Sequence, residues 1–365
     1  MKKKIMTIIG TRPEIIRLSI IITKVDDYFN HILVHTGQNY DYNLNELFFK
    51  ELEVRKPDYF LGIKEKKSGA QIGKILSESE KVILKEKPEA LIILGDTNSG
   101  LTSIIAKKLG IPVYHLEAGN RCYDDRVPEE VNRRIIDHSS SVLMPYTNRS
   151  KENLLREGIE RERIFVIGNP IFEVINHFKV KISISKILDK LNLKKQEFFL
   201  VTTHRAENVD IKERLQNIVN SLQSIFQKYK FPIICSFHPR TKDKMLQYGI
   251  LKENYRIEFL EPLGFFDFIK LEKNAYCVLT DSGTVQEECC IFNTPNITIR
   301  DVTERPETIE CGSNIITGNN PDDIESCVNV ALKESVNWKV PDEYLTENVS
   351  AIVMRILSNY NFYKK

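Results

Sequence analysis

Carboxylates at the ends of successive apolar runs are the residues of this chain best placed to do chemistry. Leu91-Ile92-Ile93-Leu94 leads into Gly95-Asp96-Thr97, and Val113-Tyr114-His115-Leu116 leads into Glu117-Ala118-Gly119. A loop beyond them carries Arg126-Val127-Pro128-Glu129-Glu130-Val131-Asn132-Arg133-Arg134. Convergence of Asp96, Glu117 and Glu129 beside an arginine raises some of their pKa values through repulsion and burial, as proton transfer at neutral pH requires. A helix N-cap at Asp96 and a salt-bridged loop around Glu129 are the plainer alternatives.

A second group of residues suits an anion. The first apolar run ends at Ile9, and Gly10-Thr11-Arg12-Pro13-Glu14 follows, with Arg17 one turn later. Gly10 permits a tight turn and Pro13 fits a first helical position, so Arg12 and Arg17 lie near a helix N-terminus, where guanidinium groups suit a diphosphate. In the second half, Val278-Leu279-Thr280-Asp281 turns at Ser282-Gly283-Thr284 into a helix carrying Glu287 and Glu288. Unpaired N–H groups at such a junction bind phosphate, and a carboxylate one turn deeper, at Glu288, suits sugar hydroxyls. His204-Arg205 follows another apolar run, and Arg305 lies downstream of the Ser282-Gly283-Thr284 turn. His238-Pro239-Arg240 reads as lining without a role. The ligand class that fits is a nucleotide or nucleotide sugar.

Several chemistries lose support. No G-x-G-x-x-G, Walker or G-x-S-x-G motif is present, which disfavours NAD, P-loop and serine-hydrolase readings. His115 beside Glu117 has no second histidine near it in sequence, so the expectation is no metal and no cofactor.

These residues need elements to position them. Ile5–Ile9, Ile32–His35, Ala90–Leu94, Val113–Leu116 and Val142–Pro145 read as strands, with helices over Glu14–Val25, Asn43–Phe49, Ala70–Glu86, Leu101–Leu109 and Glu130–Asp137. Phe198–Thr202, Ile233–Phe237, Ile257–Phe259, Cys277–Leu279 and Asn296–Ile299 form a second strand series after a Lys/Ile-rich stretch, and a last helix covers Asn348–Asn359. Continuous rather than alternating apolar runs indicate parallel sheets covered on both faces. The expectation is α/β, with two doubly wound Rossmann-like domains facing across a cleft and functional residues just after strands. The boundary is set near Gly168-Asn169, giving 1–168 plus 347–365 and 169–346.

A length of 365 residues fits about two domains, and 42% hydrophobic with 28% charged residues is an ordinary globular composition. The formal charge of +2, from 52 basic and 50 acidic residues, offers no field for nucleic acid or an anionic membrane. Lys2-Lys3-Lys4 before Ile5–Ile9 reads as the lead-in to a strand, because the apolar run is too short for a signal peptide or membrane span. Seven cysteines without a C-x-x-C pair read as reduced core thiols of a cytoplasmic protein.

In order and spacing, these motifs together with Thr303-Glu304-Arg305-Pro306-Glu307 resemble the non-hydrolysing UDP-N-acetylglucosamine 2-epimerases, relatives of glycosyltransferases with the GT-B fold. The resemblance implies inversion at C2 of a UDP-sugar: UDP leaves by anti elimination, a 2-acetamidoglucal forms, and UDP re-adds after reprotonation. It implies that Asp96, Glu117 and Glu129 are the acid/base group. Arg12, His204 and Ser282-Gly283-Thr284 hold the diphosphate, with His204 counted among the catalytic residues. Glu288 meets ribose or sugar hydroxyls, Phe268 lies near the uracil, and Arg17, Arg133 and Arg305 are further substrate contacts. A homodimer and a last helix crossing back onto the first domain are also implied. Arg17 stands where many members carry Lys. Gln38-Asn39-Tyr40-Asp41-Tyr42 and Asn120-Arg121-Cys122 look more like the branch converting UDP-2-acetamido-2,6-dideoxy-L-talose to UDP-N-acetyl-L-fucosamine. A GT-B glycosyltransferase and a non-catalytic nucleotide-sugar sensor share the same UDP-site expectation.

Overall fold

A computed structural model describes residues 2–38, 42–237, 239–250, 257–334 and 337–358, with the backbone alone at 42–45 and 239–240. Asn39–Asp41, His238 and the end of the last helical segment at Asn359 lie outside the described residues. The chain divides into two compact units, Met1–His177 with Asp342–Lys365, and Phe178–Pro341. Each is doubly wound α/β, the make-up of the GT-B-like class.

In the first unit β1 (Lys4–Ile9), β2 (Asn30–His35), β3 (Tyr59–Phe60), β4 (Ala90–Leu94), β5 (Val113–Leu116) and β6 (Val142–Met144) form one sheet. Its order is β3-β2-β1-β4-β5-β6 and every pairing is parallel. The second unit repeats the topology with β7 (Phe199–Thr202), β8 (Ile233–Ser236), β9 (Ile257–Leu260), β10 (Cys277–Thr280), β11 (Asn296–Thr298) and β12 (Asn314–Ile316), in the order β12-β11-β10-β7-β8-β9. Chain direction across each sheet reverses at one place, between β1 and β4 and between β7 and β10. Ligands bind outside the carboxyl ends of strands at such a switch point.

Apolar continuity in the strands has a packing cause. All five residues of β4 are buried, and along β7 Leu200 packs into one core cluster with Phe198, which precedes the strand, while Phe199 and Val201 pack into the opposite one. A strand covered on both faces has no solvent side to make polar. β3 and β12, edge strands of two and three residues, were not expected from sequence.

The stretch that read only as Lys/Ile-rich folds into helices Pro170–His177, Lys179–Ile184 and Ile187–Lys190. The last helix, Val349–Ser358, belongs to the first unit. There Ser350 N–H donates to Glu173 at 2.7 Å and Lys24 Nζ donates to Ser350 Oγ at 2.6 Å. Among the described residues no helix is long and apolar enough to cross a membrane.

Candidate active site

The first switch point is built on a buried acid. β1 ends at Ile9, and helix Arg12–Tyr28 starts with Pro13 in its first turn. A side chain at Gly10 would meet Thr36 Oγ1 at 2.5 Å, so only glycine fits the turn. Glu14, 1% exposed, accepts from Gly10 N–H at 3.0 Å, Thr11 Oγ1 at 2.7 Å and Ser99 Oγ at 2.7 Å. It thereby ties the turn carrying Arg12, half-buried with its guanidinium 5.8 Å from the Phe48 ring, to the turn after β4. Burial pushes the Glu14 carboxyl up to about 7 despite these donors. A raised carboxyl pKa favours the protonated fold, so this contribution is present below the unfolded value near 4.5 and lost as pH rises through about 7. Stability of the wild type relative to Glu14→Gln should therefore fall by about 3 kcal/mol over that window, at about 1.4 kcal/mol per pH unit. Urea unfolding of both proteins at the two ends checks this, and parallel profiles would refute it.

Glu117 occupies the end of β5 in the left-handed region, at φ 66°. That conformation costs a non-glycine residue about 1–2 kcal/mol, and such strain collects at functional sites. Its carboxylate accepts from Arg17 Nη1 at 3.2 Å, Tyr146 Oη at 3.3 Å and Asn120 Nδ2 at 3.3 Å. Arg17 is 1% exposed, and its guanidinium also lies over the Tyr146 ring at 5.4 Å. The turn is held from below. His115 reaches Asp137 at 2.8 Å through Nδ1 and the Gly95 carbonyl at 2.8 Å through Nε2. Asp137 also accepts from Gly119 N–H at 3.1 Å and Arg121 Nη2 at 2.7 Å. His115 is a buried scaffold residue that joins the β4 and β5 turns. Gly119, at φ 79°, has no room for a side chain against the Ser150 carbonyl.

Asp96 is half-buried at the turn after β4 and does not cap a helix; its carboxylate pairs with Arg133 at 2.5 Å. The residue before it in the helix, Asn132, donates to the Asp96 carbonyl at 2.9 Å. Arg133 also reaches Glu130 at 3.1 Å. Of the two adjacent acids in helix Pro128–Ser139, Glu130 is the one fully buried, accepting from Cys122 N–H at 3.0 Å and Tyr123 N–H at 3.2 Å. Burial would raise the Glu130 carboxyl, but those donors and the Arg133 charge hold it below the ordinary range. Glu129 is half-buried in the first turn of that helix.

At the second switch point, between β7 and β10, Asp281 does the organising. Wholly buried, it accepts from the N–H groups of His204 and Arg205, each at 3.1 Å, and from Asn208 Nδ2 at 3.2 Å. His204 Nδ1 also faces it at 3.2 Å, while half of the His204 side chain is open to solvent. Burial opposes ionisation of Asp281, yet the His204 and Arg205 contacts outweigh it and hold the carboxyl below its usual range.

Helix Gly283–Phe292 begins immediately beyond Asp281, with Ser282 at its N-cap and no side-chain cap bond. Ser282, Gly283 and Thr284 are all half-buried, and the Arg305 guanidinium carbon lies 3.8 Å from the place of a Cβ at Gly283. Arg305 Nε pairs with Glu287 at 2.5 Å. Glu288 is buried beside Glu272, itself fully buried with no donor on either oxygen. Burial first, and the neighbouring Glu288 charge second, push the Glu272 carboxyl well above the ordinary range. Phe268 is half-buried against the core cluster around Phe198 and Leu200.

Thus Arg17 meets Glu117, Arg133 meets Asp96, and His204 and Arg305 flank the turns of their own sheet. Glu14, Glu130, Asp281 and Glu272 were not singled out from sequence. Glu14 and Asp281 stand inside strand–turn–helix junctions already recognised, and that position was the available signal. Among the described residues no group of three or more His, Cys, Asp or Glu is arranged to hold a metal ion.

The model of the UDP-N-acetylglucosamine 2-epimerase family matches residues 23–358. A UDP-N-acetylglucosamine 2-epimerase of Methanocaldococcus jannaschii is 46% identical over 346 residues, covering 93% of this chain and 94% of that one. A UDP-2,3-diacetamido-2,3-dideoxy-D-glucuronate 2-epimerase of Pseudomonas aeruginosa is 38% identical, covering 91% and 93%. The crystal structure of the Methanocaldococcus jannaschii UDP-GlcNAc 2-epimerase in complex with UDP-GlcNAc and UDP superposes with a TM-score of 0.92 at 44% identity, over 97% of this chain and 99% of that one. On full-length agreement of this kind, the chain belongs to the UDP-N-acetylglucosamine 2-epimerase family.

Proposed function

We propose that the protein interconverts UDP-N-acetylglucosamine and UDP-N-acetylmannosamine without hydrolysis. The observation that carries the reading is the pair of strand-end carboxylates, Asp96 and Glu117, each set against a buried arginine. Acids fixed in this way suit removal of the C2 proton on one face and its return on the other. Asp96, Glu117 and Glu129 form this acid/base group. UDP leaves by anti elimination, a 2-acetamidoglucal forms, and UDP re-adds.

The leaving diphosphate falls to Ser282, Gly283 and Thr284 at the helix N-terminus, with Arg12, His204 and Arg305. Glu288 takes ribose hydroxyls and Phe268 the uracil, with Arg17 and Arg133 as further contacts that also hold the acids in place. The protein works as a homodimer in the cytoplasm on this reading, in keeping with its seven unbridged cysteines; light scattering checks the dimer.

Incubation with UDP-GlcNAc in D2O should give UDP-ManNAc with deuterium at C2 in both sugars by NMR. Substrate that stays deuterium-free would overturn the assignment. Asn120, in the segment that resembles the L-fucosamine-forming branch, contacts Glu117, and the Pseudomonas aeruginosa relative is named for a different UDP-sugar. Parallel assays with UDP-2,3-diacetamido-glucuronate and the L-talo nucleotide therefore test which 2-acetamido sugar turns over fastest. Acceptor-dependent UDP release would indicate a transferase, and binding without turnover a sensor.

A further inference from the structure

Helix Gly283–Phe292 and the short helix Pro306–Glu310 are joined at two places. Arg305 meets Glu287 at one end, and at the other Cys311 Sγ lies 3.6 Å from Cys290 Sγ. Glu287 and Cys290 are three apart, so they share one face of their helix. Cys290 is fully buried, whereas Cys311, which follows the short helix, is half-buried. The mechanism proposed above uses neither thiol.

The two sulfurs differ in more than exposure. Hydrogen bonding with Cys290, reinforced by Ser313 and opposed by burial, lowers the Cys311 thiol below the ordinary range. Cys290 is pushed far above the ordinary thiol range by the same bond and by burial. A half-buried thiol with a lowered pKa, 3.6 Å from a fully buried one, is the arrangement of a redox-sensitive cysteine with its resolving thiol. The other wholly buried cysteines, Cys235, Cys277 and Cys289, are pushed upward by burial.

We propose that Cys311 and Cys290 are a reversible oxidation site for a low-molecular-weight disulfide, closing to a cross-link between these two helices. The Cys311 thiolate attacks one sulfur of glutathione disulfide, forming a mixed disulfide and expelling one glutathione thiolate. Cys290 gives up its proton, attacks Cys311 Sγ and expels the second glutathione. One protein thiolate and one thiol are oxidised and one glutathione disulfide is reduced to a thiol and a thiolate, the Cys290 proton passing to a departing glutathione sulfur, so electrons and protons balance. Closing the gap from 3.6 Å to a covalent bond draws the short helix along the other and shifts Arg305 against Gly283. The effect on substrate rests on the proposed diphosphate role of the Ser282–Thr284 turn; the oxidation does not.

The chain supplies its own reporter. Its single tryptophan, Trp338, donates its indole N–H to the Cys290 carbonyl at 3.0 Å. The full-length protein is incubated with glutathione disulfide, the free thiols are alkylated, and digests are read by mass spectrometry beside Trp338 fluorescence. The expected result is a Cys290–Cys311 cross-linked peptide, a fluorescence change reversed by dithiothreitol, and a several-fold rise in KM for UDP-GlcNAc with kcat less affected. Cys290→Ser should stop at the glutathione adduct on Cys311, and Cys311→Ser should give neither adduct nor fluorescence change. Glutathionylation of Cys311 no faster than of Cys122 or Cys327, or a mixed disulfide that persists in the wild type, would overturn the oxidation site. A cross-link that leaves KM unchanged overturns its influence on substrate. A reduced enzyme that fails to bind UDP defeats the functional reading while leaving the thiol chemistry intact.

Discussion

Glu117→Gln is expected to lower kcat on UDP-GlcNAc by about 10²- to 10⁴-fold, the usual contribution of one general acid–base group, with UDP binding kept. The substitution is nearly isosteric, so the left-handed backbone at φ 66° can persist, and the single amide oxygen keeps one of the contacts that Tyr146 and Asn120 donate to different carboxylate oxygens. What disappears is the proton-accepting charge. The complication is Arg17: its guanidinium is 1% exposed and would face an amide, and stranding a buried cation is destabilising. A folding control is therefore essential. Calorimetric titration with UDP separates the cases, because UDP affinity near the wild-type value with kcat reduced places the loss in chemistry. Near-normal turnover would remove Glu117 from the acid/base group.

Asp281→Ala should destabilise the second unit by about 3–5 kcal/mol, the cost of stranding buried partners of a removed charge. The wild-type carboxylate accepts from two backbone N–H groups and Asn208 Nδ2, so alanine leaves the two N–H groups without an acceptor beside a buried position, while Asn208 Nδ2 keeps the Ile299 carbonyl. Asp281→Asn retains one acceptor oxygen but turns an NH2 toward those donors, and should fall between alanine and wild type. Trp338 lies within the second unit, so its fluorescence during urea unfolding reports the relevant transition. Both variants should also weaken UDP binding, since Asp281 fixes the turn carrying His204 and stands next to Ser282. A loss below about 1 kcal/mol for alanine would mean that water or a local shift replaces the carboxylate.

Much of this architecture was legible because its determinants are local. The apolar runs of β1, β2, β4, β5, β7 and β10 are unbroken because both faces of each sheet are covered, and that continuity can be read without partners. The turn residues are local as well: Gly10 and Pro13 announce the β1 junction, and Ser282-Gly283-Thr284 announces the β10 junction. The edge strand β12 was not read from the sequence, and it pairs with β11 in parallel.

Residue types and their place after strands were thus determined by the sequence alone, since a strand end followed by a helix start is a short-range pattern. The pairings were not. Arg17 and Glu117 are 100 residues apart, and Asp281 and His204 are 77 apart. Each pair meets only because the strand order places β1 or β7 beside the sheet's later half. Sequence could not tell that Glu130 rather than its neighbour Glu129 is the wholly buried acid, since that depends on which side of one helix turn faces the Cys122 loop. Nor could it show that Glu14 bridges two turns or that Glu272 lies against Glu288. Burial and like-charge contact set the protonation of those acids, and both are properties of the packed chain.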